Sequence, residues 1–105
     1  MGTSINDLRR VLAVILGFEL EGGGDHVRYV LRVNGIIVAR TKFSRSWRGN
    51  QQIDDSILSL QAKQMHCSVK MLKSLLQGRL GKEDYFRVLL DGGFISQDDF
   101  DFLSR

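Results

Sequence analysis

The chain has 105 residues, of which 43% are hydrophobic and 26% charged, as in an ordinary globular domain. Its one cysteine, Cys67, excludes an intramolecular disulfide, and its longest apolar run, Val11 to Leu16, is too short to cross a membrane. Because no apolar signal region follows the first residues, we expect a cytoplasmic protein with no membrane association. We also expect no cofactor.

The formal net charge of +3 is unevenly distributed along the chain. Residues 1–52 carry eight Lys or Arg against four Asp or Glu, a net charge of +4, whereas residues 53–105 carry seven against eight, a net charge of −1. A basic half on a small domain is typical of a protein that binds a phosphate-bearing partner. Many ordinary solvated surfaces are equally basic, so composition leaves both interpretations open.

The first half of the chain predicts one helix and three strands. Apolar residues recur at helical spacing from Ile5 to Leu16, between an N-cap at Ser4 and a stop at Gly17. A short strand over Phe18–Leu20 and a glycine turn follow. Residues 26–33 and 36–43 alternate as strands, and Asn34-Gly35 between them favours a two-residue type I′ hairpin turn.

The second half predicts helices. One starts near Asp54 or Asp55 and ends near Met65, with Ile53, Ile57, Leu60 and Met65 facing inward; a second is capped by Ser68 and ends at Gly78. A third spans Lys82–Leu90, and Ser96 begins a final turn. We therefore predict an α+β fold in one domain, residues 1–105: a three-stranded antiparallel sheet in α-β-β-β-α order, with extra C-terminal helices and one sheet face open to water.

Whether the cations all lie on that open face depends on the strand register of the hairpin. His26, Arg28 and Arg32 project from one strand, and Arg40 and Lys42 from its partner. A strict two-residue turn pairs Arg28 with Thr41 and sends Arg28 and Arg40 to opposite faces. A β-bulge or a longer turn shifts the parity by one residue and unites them. We favour the shifted register.

His26 is the candidate for chemistry. Histidine titrates near neutral pH, so it can take a proton from a ribose hydroxyl, while nearby cations stabilise charge on the phosphate. A lone histidine at a strand start is also an ordinary surface residue. The run Leu16-Gly17-Phe18-Glu19-Leu20, then Gly24-Asp25-His26, then an alternating strand, resembles HicA-type toxins, which are small mRNA interferases.

The resemblance implies a double-stranded-RNA-binding-like core over residues 1–65, with residues 66–105 as a helical extension. It implies a metal-independent endoribonuclease with His26 as catalytic residue, mRNA as substrate and an antitoxin protein as partner. It also implies that Gly24 shapes the turn. From the basic residues themselves, we expect phosphate to be bound by Arg28, Arg40, Lys42, Arg45 and Arg48. The chain departs from the family at Asp25, where serine is usual, and at Arg40-Thr41-Lys42-Phe43-Ser44, which replaces a Pro-x-His-like end.

Four further patterns keep alternatives open. His66-Cys67 has no second Cys or His pair, which argues against a zinc site, and Cys67 is expected at least half-buried. The alternative to an enzyme is a non-catalytic nucleic-acid-binding module, which binds RNA on the same sheet face or DNA through residues 54–78. These residues are spaced as in a helix-turn-helix that would read DNA with Lys70 and Lys73, or form a plain helical hairpin. Trp47 either stacks on an RNA base or packs its loop onto the domain. The acidic tail (Asp98, Asp99, Asp101) would suit a protein contact.

Overall fold

The computed structural model describes residues 3–22, 26–44 and 47–105, and for His26 it describes the backbone. The elements in chain order are β1 (Thr3–Ser4), α1 (Ile5–Arg10), a π-helical segment (Val11–Ile15), β2 (Glu19–Glu21), β3 (His26–Val33), β4 (Ile36–Ser44), β5 (Gln52–Ile53), α2 (Asp55–Gln64), α3 (Val69–Leu76), α4 (Lys82–Asp91) and α5 (Gln97–Leu103). The chain is thus α+β, as predicted, with four helices after the strands.

The first helix begins where the sequence predicts. Ser4 is the N-cap: its hydroxyl accepts a hydrogen bond from the Asp7 N–H, and the Asp7 carboxylate accepts one from the Ser4 N–H. The Ser4 N–H and, to a smaller extent, the Ser4 hydroxyl both donate to the Asp7 carboxylate and hold the pKa of Asp7 below its usual range. The helix then departs from expectation, because the Leu16 N–H bonds the Val11 carbonyl at 2.9 Å, five residues back. Gly17, with φ of 79°, ends it.

The main sheet has the strand order β2-β3-β4 and is antiparallel throughout. One face packs on α1 and the π-helical segment, whose Leu8 and Leu12 share a core with Tyr29, Leu31 and Phe43 of the sheet. A separate two-stranded pairing joins β1 to β5. It brings the chain after β4 back to the start of α1, where the Ile5 and Asn6 N–H groups bond Gln51 and Gly49 carbonyls.

The C-terminal helices belong to the same core. Tyr85 and Phe86 of α4 are buried in it, and Tyr85 lies 6.1 Å from Phe18, ring centroid to ring centroid. The buried Tyr85 hydroxyl donates a hydrogen bond of 2.9 Å to the Met65 carbonyl at the end of α2. Residues after position 65 are therefore packed into the same hydrophobic interior as the sheet.

Helix α2 corrects one detail of the predicted core. Leu60, expected to face inward, is 52% exposed, whereas Gln61 is fully buried. The reason is polar: Gln61 Nε2 donates to the Lys42 carbonyl at 2.8 Å, and Gln64 Oε1 accepts from the Lys42 N–H at 3.0 Å. The helix turns these amides toward the free edge of β4, since an open strand edge carries unpaired backbone groups, and Leu60 rotates outward.

Candidate nucleic-acid interface

The predicted centre of the site lies partly outside the described residues. Gly24, Asp25 and Arg45 are not among them. His26 is the first residue of β3, and its backbone pairs with Ser44, the last residue of β4. The histidine position is therefore at the end of the hairpin remote from the turn.

The hairpin turn has the predicted two residues. Asn34 and Gly35 have φ angles of 54° and 81°, both positive as a type I′ turn requires, and Val33 pairs with Ile36. Gly35 suits the second turn position because glycine has no side chain and so avoids the steric cost of a positive φ. The turn itself therefore gives the strict register, which would separate the cations.

A β-bulge then changes the register. Arg32 pairs with Ile37 and Leu31 pairs with Ala39, so Val38 is the extra residue. Beyond it Val30 pairs with Arg40, and Arg28 pairs with Lys42. The shifted register that the sequence analysis favoured is confirmed, and a bulge produces it. Directly paired residues share a sheet face, so Arg28, Arg40 and Lys42 form one group, named here the cationic strip.

The cationic strip is available to a ligand. Arg40 and Lys42 are exposed and Arg28 is half-buried. Among residues 3–22, 26–44 and 47–105, the ion pairs involve other cations, namely Arg32, Lys73 and Arg87. Val30 lies between the cations on the same face yet is 1% exposed. Because its partners across the sheet are Glu19 and Arg40, we infer that the aliphatic parts of long side chains cover it.

Arg32 does not belong to this strip. Its guanidinium lies 3.0 Å from Glu21 and 3.6 Å from Glu19, both on β2. The two glutamates lie on the same sheet face as the cations, because Glu19 pairs with Val30 and Glu21 pairs with Arg28. The open face is therefore acidic along β2 and basic along β4. Sequence reasoning missed this division, although the alternation of Glu19 and Glu21 on the short strand indicated it.

The loop after β4 has another role. Trp47 is half-buried and packs edge-on against Phe43 at 5.6 Å between ring centroids, and the Arg9 guanidinium lies 5.7 Å from the same Phe43 ring. This contact favours the packing interpretation of Trp47 over base stacking. Arg48 is exposed in the same loop, and its carbonyl accepts from the Gln51 N–H at 3.0 Å. The structure therefore places Arg48 on a loop bound to α1, and Arg48 is not one of the paired strand residues.

A second histidine stands at the free edge of β4. His66 follows α2 with a φ of 65°, a left-handed conformation that favours glycine. Its Nε2 lies 3.1 Å from the carbonyl oxygen of Val38, the bulge residue, and its ring stacks on Phe94 at 3.9 Å between centroids. Since a carbonyl oxygen only accepts, Nε2 carries the proton, which leaves Nδ1 as an acceptor in the neutral ring.

His66 lines a groove of about 410 Å³ together with Ile37, Val38, Ala39, Arg40 and Gln64. We name this groove the edge slot. The sequence analysis considered His66 as a metal ligand beside Cys67 and did not connect it with β4. The one available signal for a role of His66 was its place in the turn, where a helix-turn-helix usually has glycine.

The helix-turn-helix segment offers fewer cations than its sequence suggests. Helices α2 and α3 are joined by a short turn, and Ser68 caps α3 as predicted. Lys70 is exposed, but Lys73 forms an ion pair with Asp55 at 3.4 Å. Cys67, in the turn, is half-buried as expected, and burial raises the pKa of its thiol to about 11.

The acidic tail is partly committed to contacts within the chain. Asp99 Oδ2 accepts from the Ser96 N–H as part of a capping box at the start of α5. Asp99 Oδ1 accepts from Asn34 Nδ2 at 2.6 Å. One of the three acids proposed as a protein contact therefore ties α5 to the hairpin turn.

Across the described ranges, His, Cys, Asp and Glu side chains form no group of three or more that could hold a metal ion. No helix there combines the length and apolar character needed to cross a membrane. No family model, curated protein or solved structure matches the chain.

Proposed function

We propose that this protein binds RNA through the cationic strip and cleaves it as a HicA-like endoribonuclease with His26 as general base. The observation that carries the proposal is the pairing of Arg28 with Lys42 across two adjacent strands. Like charges directly opposite each other destabilise a sheet. Glu21 stands opposite Arg28 on β2, but its carboxylate forms its ion pair with Arg32, and within the described residues neither Arg28 nor Lys42 forms an ion pair. The juxtaposition of Arg28 and Lys42 is therefore best accounted for by an anionic ligand.

Phosphodiester chemistry suits this arrangement. The neutral imidazole of His26 would remove the proton of a ribose 2′-hydroxyl, whose oxygen then attacks the adjacent phosphorus and forms a 2′,3′-cyclic phosphate. The bond from phosphorus to the 5′-oxygen of the next nucleoside breaks, and that oxygen takes a proton from water. Arg28 and Lys42 would stabilise the charge that develops on the phosphate oxygens. Gly24 keeps the role at the turn that the family resemblance implies, and Arg45 keeps the phosphate-binding role that the sequence analysis expects of it. The double-stranded-RNA-binding-like architecture of residues 1–65, the cytoplasmic location and an antitoxin partner are parts of the same proposal.

The binding step is tested by fluorescence polarisation with a labelled single-stranded RNA at several salt concentrations. Replacing both Arg28 and Lys42 by glutamine should weaken binding and reduce the slope of log affinity against log salt by roughly 1.4, about 0.7 for each lost phosphate contact. Arg32→Gln is the matched control, since Arg32 lies on the same sheet and is already paired with glutamates. Equal losses in both variants would contradict the proposed interface.

The catalytic step is tested separately. His26→Ala should bind RNA with wild-type salt dependence and fail to cleave it, in buffer containing a metal chelator. Cleavage by His26→Ala at the wild-type rate would remove His26 from the mechanism, while leaving the binding proposal intact.

A second candidate is DNA binding through residues 54–78. The exposed Lys70 in the first turn of α3 favours it, and the pairing of Lys73 with Asp55 weakens it. Under this alternative Lys70→Gln reduces affinity for double-stranded DNA, and Arg40 and Lys42 substitutions leave it unchanged.

A further inference from the structure

We propose that the edge slot binds one unpaired RNA base, which makes the protein selective for single-stranded RNA. The inference rests on the proposed RNA-binding function. In it the cationic strip contacts phosphate, and the edge slot is a second site that recognises a base. It starts from the backbone of β4, whose outer edge has no neighbouring strand in the order β2-β3-β4.

Backbone groups along that edge are already occupied on both sides of Arg40. Gln61 and Gln64 bond the carbonyl and the N–H of Lys42, and His66 bonds the carbonyl of Val38. In an antiparallel strand the N–H and C=O of one residue point to the same side, and residues two apart point alike. The N–H and C=O of Arg40 therefore point outward like those of Lys42, into the groove that Arg40 lines.

Arg40 keeps this outward donor and acceptor free, since no partner for them is recorded within residues 3–22, 26–44 and 47–105. A peptide strand added to β4 would need several such pairs in succession. The side chains of Gln61, Gln64 and His66 occupy the flanking positions and obstruct it. The slot therefore fits a short planar group that presents one acceptor beside one donor.

An unpaired nucleobase is such a group, because its Watson–Crick edge places a donor next to an acceptor. RNA-binding proteins commonly read splayed bases through this edge. Gln64 Oε1 is bound to the Lys42 N–H, so the Gln64 Nε2 amide remains to donate to the base. The Arg40 and Lys42 side chains, on the adjoining sheet face, supply the positive charge that the attached phosphates require.

His66 holds one wall of the slot in place. Its ring is fixed at the edge by the bond to Val38 and on one face by Phe94. The left-handed backbone at this position would suit glycine better, so the ring is present at a conformational cost. That cost also makes His66→Gly a mild substitution for the backbone, and His66→Asn a second variant that tolerates the conformation and keeps a donor for Val38.

The direct test is a nuclear magnetic resonance titration of the nitrogen-labelled full-length protein, following the Arg40 backbone amide. Adenosine, cytidine, guanosine and uridine monophosphates are added in turn, with ribose phosphate as the control that lacks a base. We expect the Arg40 amide to shift with at least one nucleotide and to stay in place with ribose phosphate. Equal shifts with both would mean that the slot binds phosphate alone and would overturn the proposal.

A glutamate-rich extended peptide is the third arm. If the peptide moves the Arg40 amide and the nucleotides do not, the slot accepts a strand, and the base-binding proposal is wrong.

The variants then connect the slot with RNA. His66→Gly and His66→Asn should bind single-stranded RNA about tenfold more weakly, the scale of one lost base contact, and bind an abasic RNA of equal length as the wild type does. Failure of the wild type to bind any RNA would refute the proposed function. RNA binding that depends on Arg28 and Lys42, with His66→Gly and the Arg40 amide both unaffected, would refute the slot alone.

Discussion

Arg28 and Lys42 lie directly opposite each other on neighbouring antiparallel strands, so the sheet carries two like charges where a pair of opposite charges would stabilise it. Lys42→Glu places an acid opposite Arg28 on β4, as Glu21 already is on β2. We expect it to raise the free energy of unfolding by about 0.5 kcal/mol while it weakens RNA binding. Urea unfolding and fluorescence polarisation measure the two effects.

The charge reversal needs a control on the same sheet. Arg32→Glu should lower stability, because it places a third acid beside Glu19 and Glu21. If Lys42→Glu destabilises the protein as Arg32→Glu does, then the opposed charges of Arg28 and Lys42 do not lower the stability of the free protein, and they no longer indicate an anionic ligand.

Tyr85→Phe tests how the C-terminal helices are held. The substitution removes the hydroxyl that bonds the Met65 carbonyl and leaves that carbonyl without this partner. A buried acceptor left unpaired costs about 1–3 kcal/mol, so the urea midpoint should fall accordingly. Tyr29→Phe is the matched control, because no hydrogen bond from its hydroxyl is recorded within the described ranges; its midpoint should move little. Comparable losses in both variants would contradict the role of the bond.

Residues 1–65 should not fold by themselves, although the family resemblance treats them as the core. The fragment would lose Leu72, Leu75, Tyr85, Phe86 and Leu89, all buried in the interior shared with the sheet. Exposed apolar surface of that extent removes the main stabilising contribution to a small domain. Circular dichroism should show no cooperative thermal transition for the fragment, and a cooperative one for the full chain. A sharp transition for the fragment would restore the division at residue 65.

Cys67 should react slowly with thiol reagents. Burial raises the pKa of its thiol from 9.0 to about 11, so at pH 8 the folded protein carries about a hundredfold less thiolate than the unfolded chain. The reaction with a disulfide reagent should keep accelerating up to about pH 11 in the folded protein and level off near pH 9 in urea.

The same shift affects stability. The unfolded chain releases this proton at lower pH than the folded protein does, so the free energy of unfolding should fall as the pH rises from about 9 to about 11. Cys67→Ser should lose this component of the pH dependence. In the disulfide-reagent experiment, identical dependence of the reaction rate on pH in folded and unfolded protein would contradict the burial of the Cys67 thiol.

The sequence predicted the local elements because their signals are local. Ser4, Ser68 and Ser96 cap helices where hydroxyls were expected to do so, and Asn34-Gly35 forms the expected turn. The bulge was favoured for the cations that it unites, but no local pattern marks Val38 as the extra residue. The carbonyl of Val38 meets His66, which lies on a different element and is not visible in the local sequence.

The contacts that the sequence did not reveal join distant parts of the chain. Hydrophobic periodicity assigns Leu60 to the core because it assumes that a helix packs through its apolar residues. Helix α2 instead contacts the sheet through Gln61 and Gln64, and Leu60 is exposed. The pairing of Arg32 with β2 depends equally on strand neighbours that sequence spacing does not supply. For His26 the backbone register agrees with the expected hairpin, and its chemistry stays a prediction.

The amides on α2 also bear on the behaviour of the protein in concentrated solution. An open strand edge is a template on which another chain can extend the sheet, and this is a common origin of aggregation. By occupying both backbone groups of Lys42 on its outer side, Gln61 and Gln64 shorten the stretch of β4 on which a second molecule could assemble. Gln64, which lines the edge slot, thus also acts with Gln61 to limit uncontrolled polymerisation of the sheet.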